Sequence, residues 1–244
     1  ASDRPLLVVI DNAHELRGSD ATVELASWFI ENLPPGFELI LAGRETPSLP
    51  SADRRLVAGE ATLLGAGDLA FTEAEVEAVL RAADSRVTAP LAWEATRGWP
   101  VAVMALAAGS ITLDAPSQSR AGSWERYLLA DVWRTVPAEL TLPLLQLSLP
   151  PAIQGSTAAE VVGDACWRLL RAWLQEREFL VERLSDGFRL NPLFRQFLRA
   201  EYARAHPADF AAAAEASVSQ LERDGEVGEA IELAREAGLA GPLA

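Results

Sequence analysis

The sequence predicts an α/β segment followed by a long helical remainder that one β-hairpin interrupts. Three observations carry this. Residues 5 to 65 alternate apolar strand runs with a helical stretch, apolar spacing turns helical from Phe71 onward, and residues 179 to 190 return to a strand pattern around an Asp-Gly turn.

Leu6 to Ile10 is a continuous apolar run that suits a parallel strand covered on both faces. Asp20 can cap a helix through Asn32, with Val23, Ala26, Phe29, Ile30 and Leu33 at helical spacing, and Pro34-Pro35-Gly36 ends it. Phe37 to Ala42 is a second strand, which completes a β-α-β unit, and Ala61 to Leu64 is a short third strand candidate. Thr72 and Glu75 form a capping box, with Phe71 and Val76 as its hydrophobic staple. Pro90 and Pro100 stand where first helical residues are expected, with Gly98 and Gly109 as stops, so two short helices meet at Gly98-Trp99-Pro100. Thr112 to Gly122, rich in Ser, Pro, Ala and Gly, reads as a linker.

Beyond it, Trp124, Tyr127, Leu128 and Val132 form one helical stripe, and Leu140, Leu144 and Leu147 form another after Pro137. Helices at about 156–164 and 166–177 lead into strands Phe179 to Leu184 and Phe188 to Leu190, the outline of a winged helix. Trp167, Leu169, Leu170, Trp173 and Leu174 are expected in its core. Arg168, Arg171 and Arg177 are set against Glu176 and Glu178, whereas a DNA-reading helix would show a one-sided basic face, so an internal regulatory wing is expected. Pro192 to Ala205 is helical again. The tail, Phe210 to Leu221 and Glu229 to Ala237 around Asp224-Gly225, is a helical hairpin that suits the first unit of a TPR-like repeat array. The expected divisions are 1–65 (α/β), 66–113 (helical lid), 122–205 (winged helix) and 206–244 (start of the array).

Composition narrows the function classes. The balance of 35 acidic to 21 basic residues gives a formal charge of -14, which argues against direct nucleic acid contact by this segment. All the basic residues are arginine. The single Cys166 allows no internal disulfide, and no apolar run approaches 20 residues, so a cytoplasmic location with no membrane partner is the expectation. His14 and His206 are far apart, so no dedicated zinc site is expected. The chain opens Ala1-Ser2-Asp3 and its one Met is Met104, so an upstream segment is expected.

An apolar strand that delivers Asp11 to its C-terminal end is how P-loop ATPases hold magnesium. The partner motif G-x-x-x-x-G-K-[ST] needs a lysine, and this chain has none, so it carries at most half of such a site, with a partial P-loop NTPase-type parallel sheet.

Taken in order, four stretches resemble the STAND class of signal-transduction ATPases, and most closely the MalT-like branch of large LuxR-type transcriptional regulators. Leu6 to Leu16 resembles the family's Walker B strand, and Leu39 to Pro47, with Arg44, its sensor strand. Thr96-Arg97-Gly98-Trp99-Pro100 resembles the Gly-x-Pro element, and Arg189 to Leu198 the winged-helix segment Tyr-His-His-Leu-Phe-Arg-Asp-Phe-Leu. The resemblance implies ATP or ADP with Mg2+, held jointly by nucleotide-binding, helical and winged-helix modules and completed by an upstream phosphate loop. It also implies a small-molecule or protein inducer, self-association in the active state, and a DNA-reading effector domain elsewhere.

Carried over residue by residue, the cofactor-binding set is Asp11, Arg44, Pro100 and Asn191, with Asp11 also the metal ligand and no catalytic residue. Each has a plainer alternative. Asp11 can simply start a loop, and Arg44, which would face a γ-phosphate, can be an exposed loop arginine. Pro100, which would pack on adenine, is first a helix-starting proline, and His14 can be structural. Asn191 replaces a histidine that reaches ADP in relatives, and beside Pro192 it is also a good N-cap. Asn12 replaces an acid, and an amide cannot take a proton from water, so at most weak ATPase activity is expected, and none from this segment alone. The competing expectation is a degenerate scaffold that binds no nucleotide and serves protein interaction. In the family's sheet the phosphate-loop strand lies beside the sensor strand, so open sheet edges are expected here.

Overall fold

The computed structural model describes residues 6–44, 48–113 and 123–239. Most of the linker read at Thr112 to Gly122, and the end of the Leu39 to Pro47 segment, lie outside the described residues. Two compact units divide between Gly65 and Ala66.

The first unit contains β1 (Leu6–Ile10), a 3-10 turn (Ala13–Gly18), α1 (Asp20–Glu31), β2 (Phe37–Leu41) and α2 (Pro50–Val57). β1 and β2 pair in parallel, Leu6 opposite Phe37 through Ile10 opposite Leu41. The cap of α1 is Ser19 rather than Asp20: its Oγ accepts the Thr22 N–H at 3.2 Å, and Asp20 becomes the first helical residue, where its charge suits the helix dipole. α2, unforeseen, begins on Pro50 and is tied to the end of α1 by Arg55 Nη2 donating to the Ile30 carbonyl (3.1 Å) and by an Arg54–Glu31 ion pair.

Two expectations fail in this unit. Ala61 to Leu64 forms no strand, because a strand needs a neighbour to pair its N–H and C=O groups and none of the described strands lies beside it; Leu63 and Leu64 stay exposed. Nor is β1 covered on both faces. Val8, Ile10, Leu39 and Leu41 are half-buried, while Leu7, Val9 and Ile40 on the opposite face are exposed, since a two-stranded sheet alone cannot shield both sides.

The second unit opens with α3 (Ala66–Leu69), α4 (Glu73–Ala82), α5 (Ala89–Thr96) and α6 (Pro100–Ala107). α7 (Ser123–Tyr127) runs through a π-helical turn at Leu128–Val132 and a 3-10 turn at Trp133–Thr135 to α8 (Ala138–Gln146). There follow β3 (Ile153–Gln154), α9 (Gly155–Val162), α10 (Asp164–Gln175), β4 (Val181–Leu184), β5 (Gly187–Leu190) and α11 (Pro192–Ala205). The tail is α12 (Pro207–Arg223) and α13 (Val227–Glu236). One hydrophobic core runs from Val76 on α4 to Ala234 on α13.

The wing is a three-stranded antiparallel sheet in the order β3-β5-β4. β3 is only two residues long, too short to leave an alternating pattern in the sequence. It passes so close to the hairpin that a Cβ on Gly187 (φ +129°) would overlap the Ile153 carbonyl, so glycine is required there. On α10, Trp167, Leu170, Trp173 and Leu174 are buried, but Leu169 is 58% exposed, contrary to expectation. It sits about 100° around the helix from Leu170, off the buried stripe.

The capping box of α4 forms as expected. The Glu75 carboxylate accepts the Thr72 N–H at 2.8 Å, and Thr72 Oγ1 accepts the Glu75 N–H at 3.3 Å. Gly98 is fixed by its surroundings: φ is +73°, and a Cβ would overlap the Phe71 carbonyl oxygen.

Two predictions follow from these contacts. Gly98→Ala lowers unfolding stability by roughly 2 kcal/mol or more, from positive-φ strain plus overlap, whereas Gly67→Ala, with open space at its Cβ, is near neutral; urea midpoints compare them. The Thr72 backbone N–H, and then its hydroxyl, hold the Glu75 carboxyl below the usual glutamate value. Because this folded-state shift is downward, the contribution is present above about pH 4.3 and lost as pH falls through the lowered value. In an NMR titration Glu75 therefore titrates below the value of glutamate in a short peptide, and Thr72→Ala, which removes the hydroxyl but keeps the backbone N–H, raises it only part of the way back.

Candidate functional site

The sequence-derived residues fall in two places, one in each unit. In the first, β1 and β2 run parallel and end together, with the Ala42 N–H donating to the Ile10 carbonyl (2.9 Å) and the Ala13 N–H to the Ala42 carbonyl (2.8 Å). Asp11 follows β1 directly and Arg44 follows β2, so the two sit on neighbouring loops at the carboxyl end of the strand pair, where parallel sheets receive ligands. Asp11 is exposed, and its Oδ1 accepts the backbone N–H of Asn12 at 2.7 Å. Asn12 adopts a left-handed φ of 55°, which turns the chain sharply into the 3-10 helix. His14 spans the two loops: its Nδ1 accepts the Arg44 backbone N–H at 3.4 Å. The ring thus stitches the loop of Asp11 to that of Arg44, a structural duty.

Among the described residues no group of three or more His, Cys, Asp or Glu side chains could hold a metal. Asp11 is thus not part of a ready-made set of protein metal ligands among the described residues.

In the second unit, the turn from Thr96 to Pro100 is held from every side. Phe71 N–H donates to the Gly98 carbonyl at 2.8 Å, and Trp93 Nε1 donates to the Phe71 carbonyl at 3.2 Å. Thr96 Oγ1 accepts the Gly98 N–H (3.2 Å) and donates to the Ala92 carbonyl (2.7 Å). Buried Trp99 meets Trp124 edge-on at 5.2 Å and lies 5.2 Å from Phe179 and 6.2 Å from Tyr127. Pro100, half-buried, opens α6 as its first residue.

Asn191 reaches this turn from the wing. It is 5% exposed, its Oδ1 caps α11 by accepting the Leu193 N–H at 3.1 Å, and its Nδ2 donates to the Thr96 carbonyl at 2.9 Å. Both ends of the amide are thus engaged with protein, which is the N-cap alternative with a second, long-range bond. The structure brings Asn191 together with the Pro100 turn, and Asp11 together with Arg44. Sequence reasoning placed Thr96 in the stretch that resembles the Gly-x-Pro element but gave it no role, which is played by its backbone carbonyl, 95 positions away from Asn191.

It also missed Arg195 and Arg199 on α11, the first with 11% of its side chain exposed and the second buried. Burial, and then the neighbouring Arg199, push the Arg195 pKa down, against the opposing pull of Glu229. Their four-residue spacing beside the apolar stripe of α11 was the available signal.

Comparison with known proteins defines the class first. Residues 129–210 match the MalT winged helix domain, the stretch from the π-helical turn after α7 through the wing into α12. The chain is also similar to the HTH-type transcriptional regulator MalT of Yersinia pestis (strain Pestoides F), 28% identical over 215 residues, and to that of Yersinia enterocolitica serotype O:8, 27% identical over 215 residues. Each match covers 81% of this chain and 23% of the relative, so the chain spans about a quarter of the length of the curated relatives it matches. The resemblance to the MalT-like regulators read from the sequence therefore holds. No helix among the described residues is long and apolar enough to cross a membrane.

Proposed function

We propose that this chain is the nucleotide-responsive segment of a MalT-like transcriptional regulator, a STAND-class switch working in the cytoplasm. ATP or ADP with Mg2+ would be held by Asp11, Arg44, Pro100 and Asn191 together with a phosphate loop supplied from upstream. Asp11 would take one position on the metal, and Arg44 would set a guanidinium against the terminal phosphate, which distinguishes ATP from ADP. Pro100 would pack on the base. Asn191 contributes chiefly as a tether, because its amide is already bonded to Thr96 and Leu193 and it carries no charge, so the ADP-bound closed state is weak.

A single observation supports this reading above the others. The domain that matches MalT is bonded, through Asn191, to the turn that bears Pro100. In the proposed cycle, nucleotide and an inducer together set whether these modules pack closed, and the open form self-associates to act on transcription through a domain elsewhere. The α12–α13 hairpin would begin a TPR-like array, and an upstream strand would complete the P-loop-type sheet by pairing at its open edge. Asn12 cannot serve as a base, so the proposal is sensing with at most slow hydrolysis.

The second reading, a scaffold that binds no nucleotide, is favoured by Asn12 and by the engaged amide of Asn191. Calorimetric titration of ATP and ADP, with Mg2+, onto the natural protein containing this segment separates the two. The switch predicts saturable binding, with Asp11→Ala weakening Mg-ATP at least about tenfold, ~1.4 kcal/mol, and leaving metal-free ADP binding nearly unchanged. No binding by the natural protein would establish the scaffold.

A further inference from the structure

Arg195 and Arg199 both donate to the same two carbonyls just beyond α8. Arg195 Nε meets Ser148 O at 3.0 Å and its Nη2 meets Leu149 O at 2.8 Å; Arg199 Nε meets Ser148 O at 3.3 Å and its Nη2 meets Leu149 O at 2.7 Å. The cations suit that site because the C-terminal end of a helix carries partial negative charge. Two like charges one helical turn apart nevertheless repel, and burial denies them water.

α13 supplies the compensation. Glu229 lies 2.9 Å from Arg195 Nη1 and 3.7 Å from Arg199 Nη2, and Glu236, two turns further along, lies 3.3 Å from Arg199 Nη1. The apolar face that α13 buries is small, consisting of Ala230, Leu233 and Ala234. These carboxylates are therefore a large share of what holds α13 in place. At the N-terminus of the same α11, four residues before Arg195, Asn191 grips the Thr96 carbonyl.

We propose that α11 is a coupling rod and α13 a charge latch on it: Asn191, Arg195 and Arg199, at successive four-residue steps, tie the Thr96–Pro100 turn at one end to Glu229 and Glu236 at the other. When α13 is drawn away, the buried Arg199 and the largely covered Arg195 lose their counter-charges, α11 shifts from the carbonyls beyond α8, and the Asn191–Thr96 bond is strained. Movement in the tail is thereby read at the turn, and movement at the turn is read in the tail, through α11. The inference does not require that the chain bind nucleotide.

Peptide-resolved hydrogen–deuterium exchange on the natural protein tests it, comparing wild type with the double variant Glu229→Gln, Glu236→Gln. The expected result is exchange at least tenfold faster across 207–236 and at least threefold faster across 96–107, with α9 and α10 unchanged. Unchanged exchange in 207–236 would show that the charges do not latch α13, and acceleration confined to the tail would show that α11 does not transmit. Loss of protection in α9 and α10 as well would mark general unfolding, in which case Glu236→Gln alone decides by the same criteria.

Discussion

The second unit depends on one buried hydrogen bond, from the side-chain amide of Asn191 to the backbone carbonyl of Thr96. The turn from Thr96 to Pro100 has no regular secondary structure of its own, yet Gly98 and Trp99 within it are buried, so each polar group needs a partner. Phe71, Ala92 and the turn's own residues supply them, the Trp99 N–H donating to the Thr96 carbonyl at 3.0 Å, and the wing adds a second donor to that same carbonyl. Because the other end of the same amide is fixed as the cap of α11, the wing cannot shift relative to the turn without leaving the buried Asn191 Nδ2 donor unpaired. Trp99, among Trp124, Tyr127 and Phe179, adds apolar contact to the polar one at the same place. The helical module and the MalT-type winged helix are thus parts of one core.

Arginine recurs where this chain ties down backbone carbonyls at or just beyond helix ends. Arg55 holds the Ile30 carbonyl, Arg195 and Arg199 share the Ser148 and Leu149 carbonyls, and Arg177 lies over the Trp173 ring at 4.3 Å while donating to the Trp173 carbonyl. A planar guanidinium can serve two acceptors or stack on a ring, and an ammonium does neither as well. The exclusive use of arginine among the basic residues is put to structural use here. The acidic excess likewise has local function at Glu229 and Glu236, which neutralise the buried pair on α11.

Features specified by neighbours in sequence were legible. The capping box at Thr72 and Glu75, the proline starts at Pro100 and Pro192, and the hairpin ahead of α11 all depend on residues a few positions apart, and all form. Features that depend on distant partners were not. Ala61 to Leu64 has strand-like residues but no strand to pair with, and β3 exists only because the hairpin lies beside it. Asn191 was recognisable as an N-cap, but its second bond ends on a carbonyl, which leaves no mark on residue identity. For Asp11 and Arg44, the parallel strand order sufficed to predict adjacent loops. The stitch by His14 between them required the observed ring position.

Replacement of Asn191 by aspartate tests the claim most directly, because aspartate caps a helix as well as asparagine does while presenting an acceptor, in place of a donor, to the Thr96 carbonyl. If the wing is pinned to the turn as described, Asn191→Asp lowers the unfolding free energy, measured by urea denaturation, by about 3 kcal/mol, since a buried charge is left facing an acceptor. A loss within ~0.5 kcal/mol of zero, at which surface changes are usually found, would contradict the account and reduce Asn191 to a helix cap alone.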